Sequence, residues 1–100
     1  MKKFTLTIGV PAYNEEKNIK NMLESVLRQE RESFVLEKIL VVLDGCTDKT
    51  LKIVKEMSRK NKIIKVISDK KRLGKAARLN QIYKMSNSDL IGTFDADIVL

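Results

Sequence analysis

The sequence has 100 residues, of which 43% are apolar and 33% are charged, and its net charge is +7. This composition is typical of a single folded globular domain and excludes disordered, fibrous and disulfide-rich chains. Cys46 is the one cysteine and histidine is absent, so no internal disulfide forms and no Ser/His or Cys/His catalysis is available within this chain. No apolar run approaches the roughly 20 residues of a membrane span. We therefore expect a cytoplasmic protein with at most peripheral membrane contact.

The first half of the chain predicts two strand–helix units. Residues 4–10 form a short β-rich run, and apolar residues recur with helical spacing between positions 19 and 27. Asn14 is the predicted N-cap of this helix, with two glutamates in its first turn. The apolar run at 39–43 predicts a strand buried on both faces. Thr47 is the predicted N-cap of the second helix, which should end near Lys60.

The second half repeats the pattern. Residues 63–67 predict a third strand, and a basic loop at 69–75 leads into a third helix. The helical spacing of Ala76, Leu79, Asn80 and Tyr83 predicts its apolar stripe. Residues 90–94 predict a fourth strand that runs directly into Asp95.

Alternating strands and helices predict an α/β fold: a doubly wound, mainly parallel sheet with helices on both faces, formed by residues 1–100 as one domain. In such a sheet the carboxyl ends of all strands lie at one edge, and ligands bind where the strand order reverses. Polar residues follow each predicted strand, at 11–14, 44, 69–75 and 95–97. We therefore expect four loops to converge on one site.

The most informative of these polar residues are Asp95 and Asp97. Two carboxylates separated by one residue at a strand end can face the same pocket, although Asp-x-Asp alone is a weak motif. Mg²⁺ and Mn²⁺ prefer such hard oxygens and complete their coordination with water and substrate phosphates. The pair predicts a divalent metal site that takes a diphosphate.

Other loop residues have both a structural and a ligand-binding interpretation. Asp44 before Gly45 either makes a turn or accepts hydrogen bonds from a nucleotide. Tyr13 either packs against the sheet or stacks on an aromatic base. In the basic loop, Arg72 and Lys75 are candidates for phosphate binding, whereas the lysines at 70 and 71 are expected to be solvated.

Charge is segregated along the chain. Residues 49–84 hold thirteen Lys or Arg residues and two acidic residues. The alternative to an enzyme is therefore a basic module that binds RNA or an anionic membrane surface. Aromatic residues are not interleaved there apart from Tyr83, which disfavours specific nucleic-acid binding. A glycine-rich loop after the first strand is missing, which disfavours a dinucleotide-binding domain or a nucleotidyltransferase.

Four motifs together resemble one family. Their order and spacing are similar to those of the inverting glycosyltransferases with the GT-A fold, glycosyltransferase family 2. They are Pro11-Ala12-Tyr13-Asn14-Glu15-Glu16, Asp44-Gly45-Cys46-Thr47-Asp48, Gly74-Lys75-Ala76-Ala77 with Asn80, and Asp95-Ala96-Asp97.

The resemblance implies roles for these residues in binding a UDP- or GDP-sugar. Tyr13 with Pro11 and Ala12 would line the base-binding wall, Asp44 would hydrogen-bond the base, and Glu15 would lie close by. Asp95 would contact the ribose, and Asp97 would ligate the Mn²⁺ or Mg²⁺ that bridges the diphosphate.

The resemblance also implies what lies outside this sequence. Family members continue into a second half with the acceptor site and a catalytic base, and no acidic residue here matches that base. We therefore expect a domain that, on its own, binds the donor weakly at best and transfers sugar poorly or not at all. We also expect self-association through the open edge of the fourth strand.

Overall fold

The computed structural model describes residues 3–29 and 33–98. This part of the chain alternates strands and helices in the order β1 (Phe4–Ala12), α1 (Ile19–Leu27), β2 (Phe34–Asp44), α2 (Thr50–Lys60), β3 (Ile64–Asp69), α3 (Lys75–Met85) and β4 (Leu90–Thr93). The strands form one sheet in the order β3-β2-β1-β4, and each pairing is parallel. The predicted α/β fold with a parallel sheet is confirmed.

The apolar run in β2 shows why both faces of the sheet are covered. Each residue from 39 to 43 has at most 2% of its surface exposed. Ile39, Val41 and Leu43 belong to the core that includes residues of α1 and α2, whereas Leu40 and Val42 pack with Ile82 of α3. Successive side chains of a strand point to opposite faces, so a strand between two helical layers must be apolar throughout.

The strand order places a reversal beside β1. The chain moves from β1 to β2 and β3 on one side, and β4 then pairs with the other side of β1. The carboxyl ends of β1 and β4 therefore flank the point at which ligands bind in open parallel sheets. The amide of Phe94 donates to the carbonyl of Gly9 at 3.1 Å, which fixes the exit from β4 against β1.

The predicted helix caps are wrong. Helix α1 begins at Ile19. Asn14 is not its N-cap, since it has a positive φ of 48° and belongs to the loop after β1. Thr47 is not the N-cap of helix α2, which begins at Thr50, and the Thr50 amide donates to the side chain of Asp48 at 2.9 Å. The predicted end of α2 at Lys60 is confirmed.

The predicted apolar stripe of α3 is wrong in part. Leu79 packs against the core, but Ala76, Asn80 and Tyr83 are exposed. The side chains buried beneath this helix are those of Arg78 and Ile82. A charged residue thus occupies an inward position that helical spacing alone assigns to an apolar one.

Candidate active site

One cleft of about 290 Å³ lies at the carboxyl ends of β1, β2 and β4, beside the loop that follows β3. Its lining contains all nine residues that the sequence indicated for nucleotide or metal binding, together with Arg78 and Ala96. The nine are Pro11, Ala12, Tyr13, Glu15, Asp44, Arg72, Lys75, Asp95 and Asp97. The side chains of Lys70 and Lys71 are exposed outside this lining, as expected for solvated lysines.

The acidic pair lies on a turn directly after β4. Ala96 is 3% exposed and anchors the turn in the core, while the carboxylates on either side are exposed in the cleft. The amide of Ile98 donates to the carbonyl of Asp95 at 3.2 Å and closes the turn. Lys75 at the start of α3 donates to Asp95 Oδ1 at 2.6 Å.

The donor set of this turn fits a divalent metal that is shared with a ligand. Within residues 3–29 and 33–98, no group of three or more His, Cys, Asp or Glu side chains is placed to enclose a metal ion. Mg²⁺ and Mn²⁺ typically take one or two protein carboxylates and fill their remaining positions with water and phosphate oxygens. Two exposed carboxylates in a cleft with room for a ligand meet that requirement.

The Asp44 carboxylate accepts three hydrogen bonds at the edge of the cleft, and the residue is only 4% exposed. Its Oδ1 accepts hydrogen bonds from the Leu73 amide at 2.7 Å and from Arg78 Nε at 2.8 Å. Its Oδ2 accepts one from the Gly74 amide at 3.0 Å and lies 4.0 Å from Arg72 Nε. The last residue of β2 therefore holds the loop that enters α3.

Arg78 is the partner that sequence reasoning missed. It is 2% exposed, and its guanidinium also donates to Asp69 Oδ2 at 3.2 Å, the Lys71 carbonyl at 2.7 Å and Gln81 Oε1 at 3.1 Å. One side chain of α3 thus joins the ends of β2 and β3. The signal in the sequence was an arginine four residues before the buried Ile82, on the same helical face, with aspartates ending two strands.

These contacts set the charge states of the network. Burial alone would raise the pKa of Asp44, but hydrogen bonds from the Leu73 and Gly74 amides and from Arg78 outweigh it and hold that pKa below its ordinary value. The Lys71 amide and Arg78 also lower the pKa of Asp69. Burial alone would lower the pKa of Arg78, yet the two carboxylates raise it. The cluster is therefore ionised at neutral pH.

The loop after β3 and the first residue of α3 bring two cations, Arg72 and Lys75, into the cleft. Gly74 has φ 95° and ψ 161°, a conformation essentially restricted to glycine. The Arg72 guanidinium lies 3.4 Å from the centroid of the Tyr13 ring. Tyr13 is 42% exposed, and its ring contacts this cation.

Asn14 clamps the loop after β1 to the loop after β2. Its side-chain oxygen accepts hydrogen bonds from the Thr47 amide at 2.8 Å and the Asp48 amide at 3.3 Å. The amide of Glu15 donates to the Thr50 hydroxyl at 2.9 Å.

Cys46 packs against the core next to these loops, and burial raises the pKa of its thiol, consistent with a packing role.

Residues 7–100 match the family model described as Glycosyl transferase family 2. The chain belongs to glycosyl transferase family 2. Its relatives include the probable glycosyltransferase YdaM of Bacillus subtilis, which is 36% identical over 95 residues, a match covering 92% of this chain and 22% of YdaM. The chain spans less than a third of the length of this relative. The residues of this chain that match the family model include all those that line the cleft.

Solved structures of other proteins share the fold. S. aureus TarS (residues 1–349) in complex with UDP-GlcNAc is 30% identical with a TM-score of 0.79, covering 93% of this chain and 26% of that one. The mannosyltransferase PcManGT of Pyrobaculum calidifontis, solved with GDP-Man and Mn²⁺, is 24% identical with a TM-score of 0.84, covering 98% and 29%. This second likeness shows the GT-A fold alone. Among the described helices of the family 2 chain, none has the length and apolar character of a membrane span.

Proposed function

We propose that this chain is the donor-binding part of an inverting glycosyltransferase and holds a UDP- or GDP-sugar in the cleft. The observation that carries the proposal is the convergence of an aromatic ring, two cations and two exposed carboxylates from separate loops on one cleft. An aromatic ring suits a base, cations suit a diphosphate, and carboxylates suit a metal. Crystallised TarS, a 30% identical protein of the same fold, has UDP-GlcNAc bound.

The base-binding wall consists of Tyr13 with Pro11 and Ala12. Arg72 covers the tyrosine ring at 3.4 Å, so a base that stacks on this ring replaces the guanidinium. Arg72 then becomes available to the phosphates. Asp44 borders the same wall, and its Oδ2, with a single short hydrogen bond from the protein, is the atom available to a base donor.

The metal site consists of Asp97, assisted by Asp95, with Mn²⁺ or Mg²⁺ as the ion. A divalent ion bound there supplies charge that stabilises the nucleoside diphosphate as it leaves the sugar. The chain's own contribution is to hold the two carboxylates on a turn anchored by Ala96, and to place Arg72 and Lys75 where the diphosphate enters. Glu15 at the rim completes the cleft.

Three further features belong to the proposal. The acceptor and the catalytic base are assigned to no residue here, so binding, and not sugar transfer, is the activity proposed for these 100 residues. The chain works in the cytoplasm, with at most peripheral contact to a membrane surface. It self-associates through the edge of β4.

The decisive experiment is a calorimetric titration of UDP and of GDP, each with and without Mn²⁺. Wild type should bind one nucleotide more tightly when Mn²⁺ is present, and Asp97→Ala should reduce that gain by at least about tenfold, because it removes a direct metal ligand. Glu56→Ala is the matched control, since it removes an exposed carboxylate on α2 outside the cleft.

A nucleotide affinity that changes neither with Mn²⁺ nor in Asp97→Ala would contradict the proposed function. RNA binding that falls steeply with salt and is unchanged in Asp97→Ala would instead favour the basic-module alternative.

A further inference from the structure

A short ion pair lies inside the proposed metal site. Lys75 Nζ is 2.6 Å from Asp95 Oδ1, and the two side chains are 61% and 55% exposed. Lys75 is the first residue of α3, and the constrained Gly74 precedes it. The pair therefore connects the loop that brings cations into the cleft with the turn that carries the acidic pair.

This contact places two cations in competition for one carboxylate. A divalent ion that binds Asp95 must either displace the ammonium or accept a like charge within a few ångströms, and both weaken its binding. The two arginines of the cleft differ in this respect. Arg78 is paired with Asp44 in the buried cluster, and Arg72 lies over Tyr13.

We infer that Lys75 is an internal counter-ion that holds Asp95 against a free divalent cation and moves to the diphosphate when a nucleotide binds. The inference rests on the proposed function. It adds a coupling between the two ligands. When the ammonium moves to the phosphates, Asp95 becomes available to the metal, so bound nucleotide strengthens metal binding. By linkage the metal must strengthen nucleotide binding by the same factor.

The inference predicts that one substitution at Lys75 has opposite effects on the affinity for Mn²⁺ and the affinity for UDP. Lys75→Met keeps most of the alkyl stem and removes the charge from an exposed position, so the fold should be retained. Without nucleotide, Lys75→Met should lower the Kd for Mn²⁺ by about two- to fivefold, the range expected for an exposed ion pair. The same variant should raise the Kd for UDP, because the phosphates lose a cation. A lysine with only a structural role would not produce this reversal of sign.

The experiment measures free Mn²⁺ by electron paramagnetic resonance during titration of wild type, Lys75→Met and Lys70→Met. Each protein is titrated with Mn²⁺ alone and with Mn²⁺ in the presence of UDP, and UDP binding is measured by calorimetry. Lys70→Met is the matched control, because it removes an exposed lysine of the same loop that does not line the cleft. It should change neither affinity.

The outcomes separate the two proposals. If wild type binds UDP with Mn²⁺ but Lys75→Met binds Mn²⁺ alone no more tightly than wild type, the counter-ion role is overturned and the proposed function stands. If Lys75→Met binds Mn²⁺ more tightly but binds UDP as wild type does, the transfer to phosphate is overturned. If wild type binds neither UDP nor Mn²⁺, the proposed function fails, and the inference fails with it.

Discussion

At the level of single residues, the buried Arg78 guanidinium is the centre of a paired network at the base of the cleft. Its guanidinium is satisfied by Asp44, Asp69, the Lys71 carbonyl and Gln81. No buried side-chain nitrogen or oxygen in the described residues lacks a hydrogen bond. Since an ionised group is costly to bury unless its partners are complete, this network is sensitive to the loss of any member.

Arg78→Met should therefore destabilise the protein by about 3 kcal/mol at neutral pH, the lower end for breaking a buried pair, because the Leu73 and Gly74 amides still bind Asp44. Urea denaturation measures the change. Arg59→Met, a substitution of an exposed arginine on α2, is the control and should stay within about 0.5 kcal/mol.

The stability lost in Arg78→Met should depend on pH. The pKa of Asp44 in the folded protein is depressed, so the stability it contributes is present above its ordinary pKa of 3.8 and is lost as the pH falls below that value. The difference between wild type and Arg78→Met should therefore be largest at neutral pH and shrink in acid. A difference that stays constant from pH 7 to pH 3 would show that the ion pair is not its source.

Most residues of the cleft were predictable because they lie at or just after the end of a strand, and strand ends share one edge in any parallel sheet. Arg78 was missed because helical periodicity treats inward positions as apolar. A buried cation is stable there only because two strand ends meet beside it and supply the carboxylates of Asp44 and Asp69. The role of Asn14 was missed for a related reason. Its side chain satisfies amides 33 and 34 residues away, so a local capping rule could not identify its partners.

At the level of elements, the contact between β1 and α3 fixes the depth at which Arg78 reaches Asp44. Gly9 is buried in β1, and a Cβ there would collide with the side chain of Ile82. Ile82 lies one helical turn after Arg78 on the same face of α3. The close approach at Gly9 therefore lets α3 pack close enough to the sheet for Arg78 to pair with Asp44 and Asp69.

Gly9→Ala should push α3 away from the sheet and destabilise the protein by about 1–3 kcal/mol, the usual cost of overpacking a core. The test is a double-mutant cycle in urea with Ile82→Ala, which removes the colliding atoms. The double variant should be less destabilised than the sum of the single variants, because the two positions are in contact. Strict additivity would mean that the collision is relieved elsewhere.

At the level of the whole molecule, the two edges of the sheet differ in chemistry. The β3 edge carries Lys65 and is flanked by Lys62 and Lys70, all exposed, and lysines protect an edge strand from pairing with another chain. The β4 edge instead exposes Leu90 by 47% and Ile91 by 36%. Lysines thus border the β3 edge, whereas the β4 edge exposes apolar side chains.

This asymmetry predicts that the chain self-associates through β4 and not through β3. Light scattering after size exclusion should give a mass that rises with protein concentration, and Ile91→Lys should hold the mass at that of a monomer, because an edge lysine opposes strand pairing. Val35→Lys is the matched control: Val35 is 49% exposed on β2, an inner strand, so the same chemical change there should leave association intact. A monomeric mass for wild type at every concentration, or equal effects of both substitutions, would exclude the β4 edge as the contact.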